Sequence, residues 1–578
     1  MTSRHNRARV GVVLLAAGAL ALAGCSSSDN PTGGSSTSGS TATPTESLPG
    51  TGWKTAERDA VADGGTLTLP VDMTPLNFQL FNPDAGTVDD QTIESLYLPA
   101  FVTVAEDGTW SANPDYATSV ELKSEDPQVA EIKINPKAVW SDGTPITYKD
   151  VAANWKALSG ENKDFAPVAT NVWEDVASVE KGENDQDVLI TFAKKNADWA
   201  SVLFPIYPAW AMDTPDAFNK SWQKGPYAED GKTYVSGGPF IVKSYDVNGQ
   251  VLTFTKNPKW WGDEPKLDTI IFKTVSRDSQ AQAFANSEID AFNLNGQADN
   301  LKTAQGRADA TIERSLGTQF RHITLNGTSE VFSDVAVRKA FAVALDRATL
   351  GQAILGPVGS PVEELNNLIF LPGQKGYADN ASTVLTGKAD DAKQILTDAG
   401  YTIGSDGKAT KDGKALEVSF VIPSDNTNSS NIAQLAKQEE SLAGITVNIN
   451  TVPSGDFFDK YVNTTDRNFD ATYFAWQGTA WPVSSTKSIY YPADAGQNYA
   501  GVTDDSLGAD WDAANAELDN DKRIEMANAI DQKLINLFTT IPLFPEPYAW
   551  GVKDTLVNYG PSQFQAYTLH WQDVGFSK

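Results

Sequence analysis

A single cysteine, Cys25, closes an unbroken run of apolar and small residues from Val10 to Ala23. One thiol in 578 residues excludes a disulfide scaffold. With only His5, His322 and His570 beside it, Cys–His nucleophile pairs and multi-histidine metal sites are excluded as well. No metal or cofactor is therefore expected, and any enzymatic chemistry would have to rest on carboxylates, Ser, Lys or Tyr. The length corresponds to about three domains and is ample for burying a large core.

Arg4, Arg7 and Arg9 form a cationic front before the apolar run. Its 14 residues are too few to span a bilayer as a helix, which needs about 20. They have the proportions of a signal-peptide core. Leu22-Ala23-Gly24-Cys25 resembles the lipobox of bacterial lipoproteins. That resemblance implies cleavage after residue 24, acylation of Cys25, and a lipid anchor at the extracytoplasmic face of the cell membrane. Two acyl chains anchor stably where one does not. Residues 26–50 follow, twenty of the 25 being Ser, Thr, Gly or Pro. Such a segment buries too little apolar surface to offset its ordering entropy. As a coil its reach is roughly 25–30 Å. The expected organisation is a leader over 1–24, a tether over 25–51 and a folded body from Gly52.

Acidic residues outnumber basic ones 74 to 45, a net charge of −29. A surface this negative repels phosphate backbones, so nucleic acid is not an expected partner.

Strands and helices mix through the body. Gly64–Pro70, Val129–Asn135 and Leu267–Val275 read as strands. Thr147 is placed to cap a helix over Lys149–Leu158, and Ser333-Asp334 to cap another. Asn248-Gly249 between Phe240–Tyr245 and Gln250–Thr255 predicts a hairpin. Gly400 and Gly444 are expected to terminate helices. A long helix is expected over Asp519–Phe538, and extended chain at Ile541–Pro545. There is no strict βα period and no internal repeat, so the class is α/β or α+β with more than one lobe.

Several segments together resemble the family 5 solute-binding proteins of bacterial ABC importers, the dipeptide- and oligopeptide-binding group. The carriers are Trp140-Ser141-Asp142-Gly143-Thr144-Pro145, Gly237-Gly238-Pro239-Phe240, Asn257-Pro258-Lys259-Trp260-Trp261-Gly262, Ser287-Glu288-Ile289-Asp290, Ser333–Ala340 and Ala443–Val447. They occur in family order. The resemblance implies an α/β, two-lobe periplasmic-binding-protein-like fold of type II, with an extra subdomain in lobe one. By analogy lobe one spans 52–325 with the subdomain at about 110–236, lobe two spans 326–546, and 547–578 returns to lobe one.

In peptide binders of this family, an Asp shortly after a lobe-two Trp pairs with the ligand's α-ammonium. Here the stretch is Ala475-Trp476-Gln477-Gly478-Thr479-Ala480-Trp481, and Thr479 or Ala480 stands near the place of that Asp. The resemblance makes Trp476, Gln477, Thr479 and Trp481 the lobe-two ligand candidates. Asn77, in a segment similar to the family's Leu-Asp-Pro turn, joins Phe81, Asn82 and Phe165 as the lobe-one candidates. Trp140, Trp260 and Trp261 are read as packing residues and Arg338 as structural. Ser484–Lys487 and Ser424–Asn426 match fragments of penicillin-binding motifs in the wrong order, and acidic clusters such as Glu183–Asp187 are read as solvated faces.

The resemblance implies a monomeric, non-enzymatic receptor that holds an oligopeptide or other small solute and delivers it to an ABC permease. The alternative is a lipoprotein of the same fold acting in cell-envelope or lipoglycan assembly. A carboxylate-dependent wall hydrolase is the third and least favoured reading.

Overall fold

The computed structural model describes residues 47–578 except Asp84 and Gly86, with only the backbone at Asn171. The leader, Cys25 and the tether as far as residue 46 lie outside the described residues.

Three sheets organise the body. The first is ordered Thr66–Val71, Thr269–Thr274, Val251–Lys256, Phe240–Asp246, with the first pair parallel and the others antiparallel. The second is an antiparallel sheet built from residues 117–192, in the order Ala117–Glu125, Gln128–Ile134, Asp187–Phe192, Val176–Lys181. The third has six strands, ordered Ala291–Asn293, Thr540–Lys553, Ala310–Leu325, Ala471–Gln477, Glu417–Pro423, Thr446–Val452.

Two large hydrophobic cores form. One joins the first two sheets and includes Leu67, Tyr97, Ile132, Ile190, Trp222 and Trp571. The other packs helices on the third sheet and includes Phe341, Phe420, Trp511, Ile530 and Phe544. Each fully buried large apolar side chain contributes about 1.5–3 kcal/mol relative to exposure. The strands Ala310–Leu325 and Thr540–Lys553 pair antiparallel, from Ala310 opposite Lys553 to Thr324 opposite Thr540. One end of this ribbon sits beside Phe284 and Phe292, and the other enters the second core through Ile323 and Ile541. The register shifts between Ser315 and Gln319. Gly317 lies there, and a Cβ at that position would fall 2.0 Å from the Glu546 carbonyl oxygen. No other residue fits without displacing the partner strand.

Local signals act as read at several element ends. Thr147 and Asp150 form a reciprocal capping box at the start of the helix Tyr148–Leu158. Asp334 caps the helix Val335–Ala344, and its neighbour Arg338 donates to the carbonyls of Phe332, Ser333 and Leu537. Gly444, at φ +92°, ends the helix Thr427–Ala443. Asp519 caps the helix Asn520–Leu537.

The hairpin after Phe240–Asp246 forms, but not through a left-handed Asn-Gly pair. The Asp246 carboxylate accepts the N–H groups of Asn248 and Gly249, and Gln250 takes the positive φ, +52°. The side-chain turn replaces the backbone turn. Asp187, read as part of a solvated acidic face, is instead buried and accepts the Glu183 N–H at 2.9 Å. Ordered pairing also starts earlier than Gly52. Pro49 O accepts the Leu316 N–H at 2.8 Å, and Gly50 O accepts the Gln563 N–H at 2.8 Å. These bonds use only the backbone, so a side-chain pattern does not report them.

Candidate ligand-binding site

The strand Ala471–Gln477 carries the lobe-two candidates. It pairs antiparallel with the long strand Ala310–Leu325, with Trp476 opposite Phe320 and Gln477 opposite Gln319. Trp476 is half-buried within an aromatic group. Its ring lies 5.7 Å from Tyr499 at 25° and 5.4 Å from Phe474 at 69°. It also lies nearly parallel to His322, 6.0 Å away at 8°. His322 is fully buried, and burial followed by the Arg321 charge pushes its imidazole down to about 3. It is therefore neutral at physiological pH, an aromatic neighbour and not a cation. Trp476, Tyr499, Thr324, Tyr490, Asn498 and Thr540 line a small pocket with room for about one water molecule.

Gln477 is exposed, and its amide donates to Thr318 Oγ1. Thr479 Oγ1 accepts the Trp481 N–H at 3.1 Å and shares a hydrogen bond with Ser485 Oγ at 2.9 Å. Its carbonyl accepts from Gln374 Nε2 at 3.0 Å. Trp481 precedes the helix Pro482–Tyr490 and packs away from its own core, with Ala480, against Val104, Trp110, Phe564 and Tyr567.

The lobe-one candidates are more enclosed. Asn77 is 1 % exposed, and its Oδ1 accepts the Gln79 N–H at 3.1 Å. Phe81 is half-buried and meets Tyr207 edge-on at 5.9 Å. Asn82 is buried. Phe165 is 3 % exposed in the first core, edge-on to Phe218 at 5.9 Å. The loops of Phe81 and Phe165 adjoin, since Val168 N–H donates to Phe81 O at 2.8 Å. Trp476 alone of the eight candidates lines the cavity beside Tyr499.

Sequence reasoning did not single out the groups that join the two cores. Lys375 N–H donates to Asp107 O at 2.9 Å, and Ala197 N–H donates to Asn515 O at 2.7 Å. Arg523 forms a double ion pair with Asp198. These contacts link residues far apart in sequence, and no local pattern marks them.

The sequence profile of the bacterial extracellular solute-binding proteins, family 5, middle part, matches residues 111–498. The oligopeptide-binding protein OppA of Mycobacterium tuberculosis is 33% identical over 521 residues, covering 89% of this chain and 85% of OppA. The chain belongs to family 5 of the bacterial extracellular solute-binding proteins. A second relative is the probable monoacyl phosphatidylinositol tetramannoside-binding protein LpqW of M. tuberculosis. It is 21% identical over 642 residues, covering 95% of this chain and 93% of LpqW. Among solved structures, the periplasmic EDTA-binding protein EppA superposes with a TM-score of 0.80 at 24% identity, covering 93% of this chain and all of EppA. The fold is the type II periplasmic-binding-protein fold of family 5. Its members bind solutes, and Trp476, Phe474 and His322 lie within the segment that the family profile covers, with Tyr499 one residue beyond its end.

Proposed function

We propose that the protein is a membrane-tethered extracytoplasmic receptor that captures oligopeptides between two lobes and delivers them to an ABC permease. The similarity to OppA, sustained over most of both chains, carries this reading. In it, residues 1–24 are a signal peptide, Cys25 is the lipid anchor, and the tether runs from there to the start of ordered pairing at Pro49. Lobe one is 52–325 with its subdomain at about 110–236, lobe two is 326–546, and 547–578 return to lobe one. Cargo contacts both walls and stabilises the closed state by its differential affinity for it. No bond is made or broken, and the protein acts as a monomer without a cofactor.

Trp476, Gln477, Thr479 and Trp481 contact cargo from lobe two. Asn77, Phe81 and Asn82 do so from lobe one. Phe165, packed on Phe218, supports that wall from behind. Main-chain hydrogen bonds hold an extended peptide whatever its sequence. Thr479 or Ala480 stands near the place where an amine-pairing carboxylate would be expected, so the free N-terminus is not the main anchor.

Titration of the purified protein with mixed-sequence peptides of four to nine residues tests this reading. Micromolar or tighter binding that depends little on sequence is expected, and no binding across that set contradicts it. Fractionation of cells tests the anchor: Cys25→Ser is expected to move the protein from membranes to the soluble fraction.

The similarity to LpqW favours a second reading, a role in cell-envelope or lipoglycan assembly. A glycolipid, in place of peptides, released from the purified protein would select it.

A further inference from the structure

We infer that Asp198 and Arg523 form a latch that holds the two halves of the molecule together independently of cargo. Asp198 belongs to the first half, where the next residues, Trp199 and Ala200, enter the first core. Arg523 lies on the helix Asn520–Leu537, whose Ala527, Ile530 and Leu534 enter the second. Arg523 Nη1 and Nη2 each donate to a separate Asp198 oxygen at 2.6 Å. This is the planar two-point geometry that makes arginine–carboxylate pairs strong and directional. The side chains are 2 % exposed at Asp198 and 10 % at Arg523, so water and salt compete poorly for them.

The surroundings complete the arrangement. Arg523 Nε donates to Ala514 O at 3.2 Å. Asp198 Oδ2 also accepts the Ser484 N–H at 3.3 Å, in the first turn of the helix Pro482–Tyr490. Beside the pair, the Ala197 N–H reaches Asn515 O across the two halves. The Asp198 loop is held in place from its own side. Asn196 Oδ1 accepts the Asp198 N–H at 2.9 Å, and Gln128, itself 1 % exposed, bonds both the N–H and the carbonyl of Asn196. Trp199 meets Trp110 edge-on at 5.1 Å, and Trp110 belongs to the cluster that receives Trp481 from the second half. An ionic lock and an apolar contact thus sit side by side.

A buried pair recovers little net energy over its own desolvation, but removing one partner strands a buried charge. The latch therefore biases the molecule towards closure modestly when intact and opposes closure strongly when half of it is missing. The inference rests on the two-lobe reading but needs no knowledge of the cargo.

The test is a distance measurement between spin labels at the exposed positions Asn248→Cys and Asp406→Cys, one in each half, on the full chain carrying Cys25→Ser. Without peptide, the short distance is expected to be well populated. Asp198→Asn is expected to lower the closed-to-open ratio by roughly tenfold or more. Asp198→Leu with Arg523→Met, which removes both charges, is expected to recover closure relative to Asp198→Asn. That recovery separates a latch from simple damage to the fold, and thermal melts of each variant check folding. Identical distributions in the unsubstituted protein and Asp198→Asn overturn the latch. If added peptide still shortens the distance in that case, the capture reading stands without it.

Discussion

Trp476 stacks on Tyr499, with ring centroids 5.7 Å apart and planes 25° from parallel, on the rim of a cavity that the two residues share. Tyr499 supports one face of the indole and Phe474 meets it edge-on, so the ring is held in place before any ligand arrives. Such aromatic pairs add about 0.5–1.5 kcal/mol each beyond the area they bury. Trp476→Ala is expected to weaken peptide binding by about tenfold or more and to lower stability by about 2–4 kcal/mol. Calorimetric titration and urea unfolding read the two effects separately. Unchanged affinity in a folded variant would remove Trp476 from the site.

Thr479 makes a prediction about cargo chemistry. With no carboxylate at Thr479 or at its neighbour Ala480, N-acetylated and free forms of one peptide are expected to bind within about threefold of each other. Thr479→Asp is expected to introduce a preference for the free amine of roughly tenfold, the scale of a charge-assisted hydrogen bond. Competition of the two peptide forms against a fluorescent peptide measures both ratios.

His322 contributes an acid-sensitive term to stability. Its folded-state value of about 3 lies below the usual 6.5 because burial, then Arg321, opposes the cation. Between those values the unfolded chain binds the extra proton. Stability is therefore complete above about pH 6.5 and is lost as pH falls towards 3, at about 1.4 kcal/mol per pH unit. His322→Phe removes this component. The difference in urea-unfolding free energy between the two proteins is expected to shift in favour of the variant as the pH is lowered from 7 to 4. A pH-independent difference would contradict the assignment.

Gly317 tests the ribbon that joins the two cores. Gly317→Ala forces a Cβ against the Glu546 carbonyl and is expected to destabilise the protein by about 1–3 kcal/mol. A thermal melt reads this directly, and an unchanged midpoint would show that the paired strands yield at this point.

What could be read from sequence divides along physical lines. Thr147, Asp334, Gly444 and Asp519 act within a turn or two of their own position, so their residue types announce helix ends. The family blocks carry the fold because their order along the chain is itself specific. The long strand Ala310–Leu325 is not announced. Ser315 and Gly317 interrupt its pattern where the register shifts, and only its partner strand reveals it as one element. Gln250 takes a left-handed conformation that Asn-Gly would ordinarily provide, because the nearby Asp246 side chain closes the turn. At the candidate site, the motif around Trp476 marks the residue as a candidate, and the ring lines the small pocket beside Tyr499. Phe165, chosen only by its distance along the chain, packs into the core against Phe218. The Asp198–Arg523 pair joins positions 325 residues apart, and nothing local to either residue marks it.

A receptor that holds peptides without transforming them carries them intact. Mass spectrometry of material released by denaturing the purified protein tests it most directly. A mixture of unmodified peptides of varied sequence, near stoichiometric with protein, is expected. A single glycolipid species, or peptides found only as cleavage products of an added substrate, would contradict it.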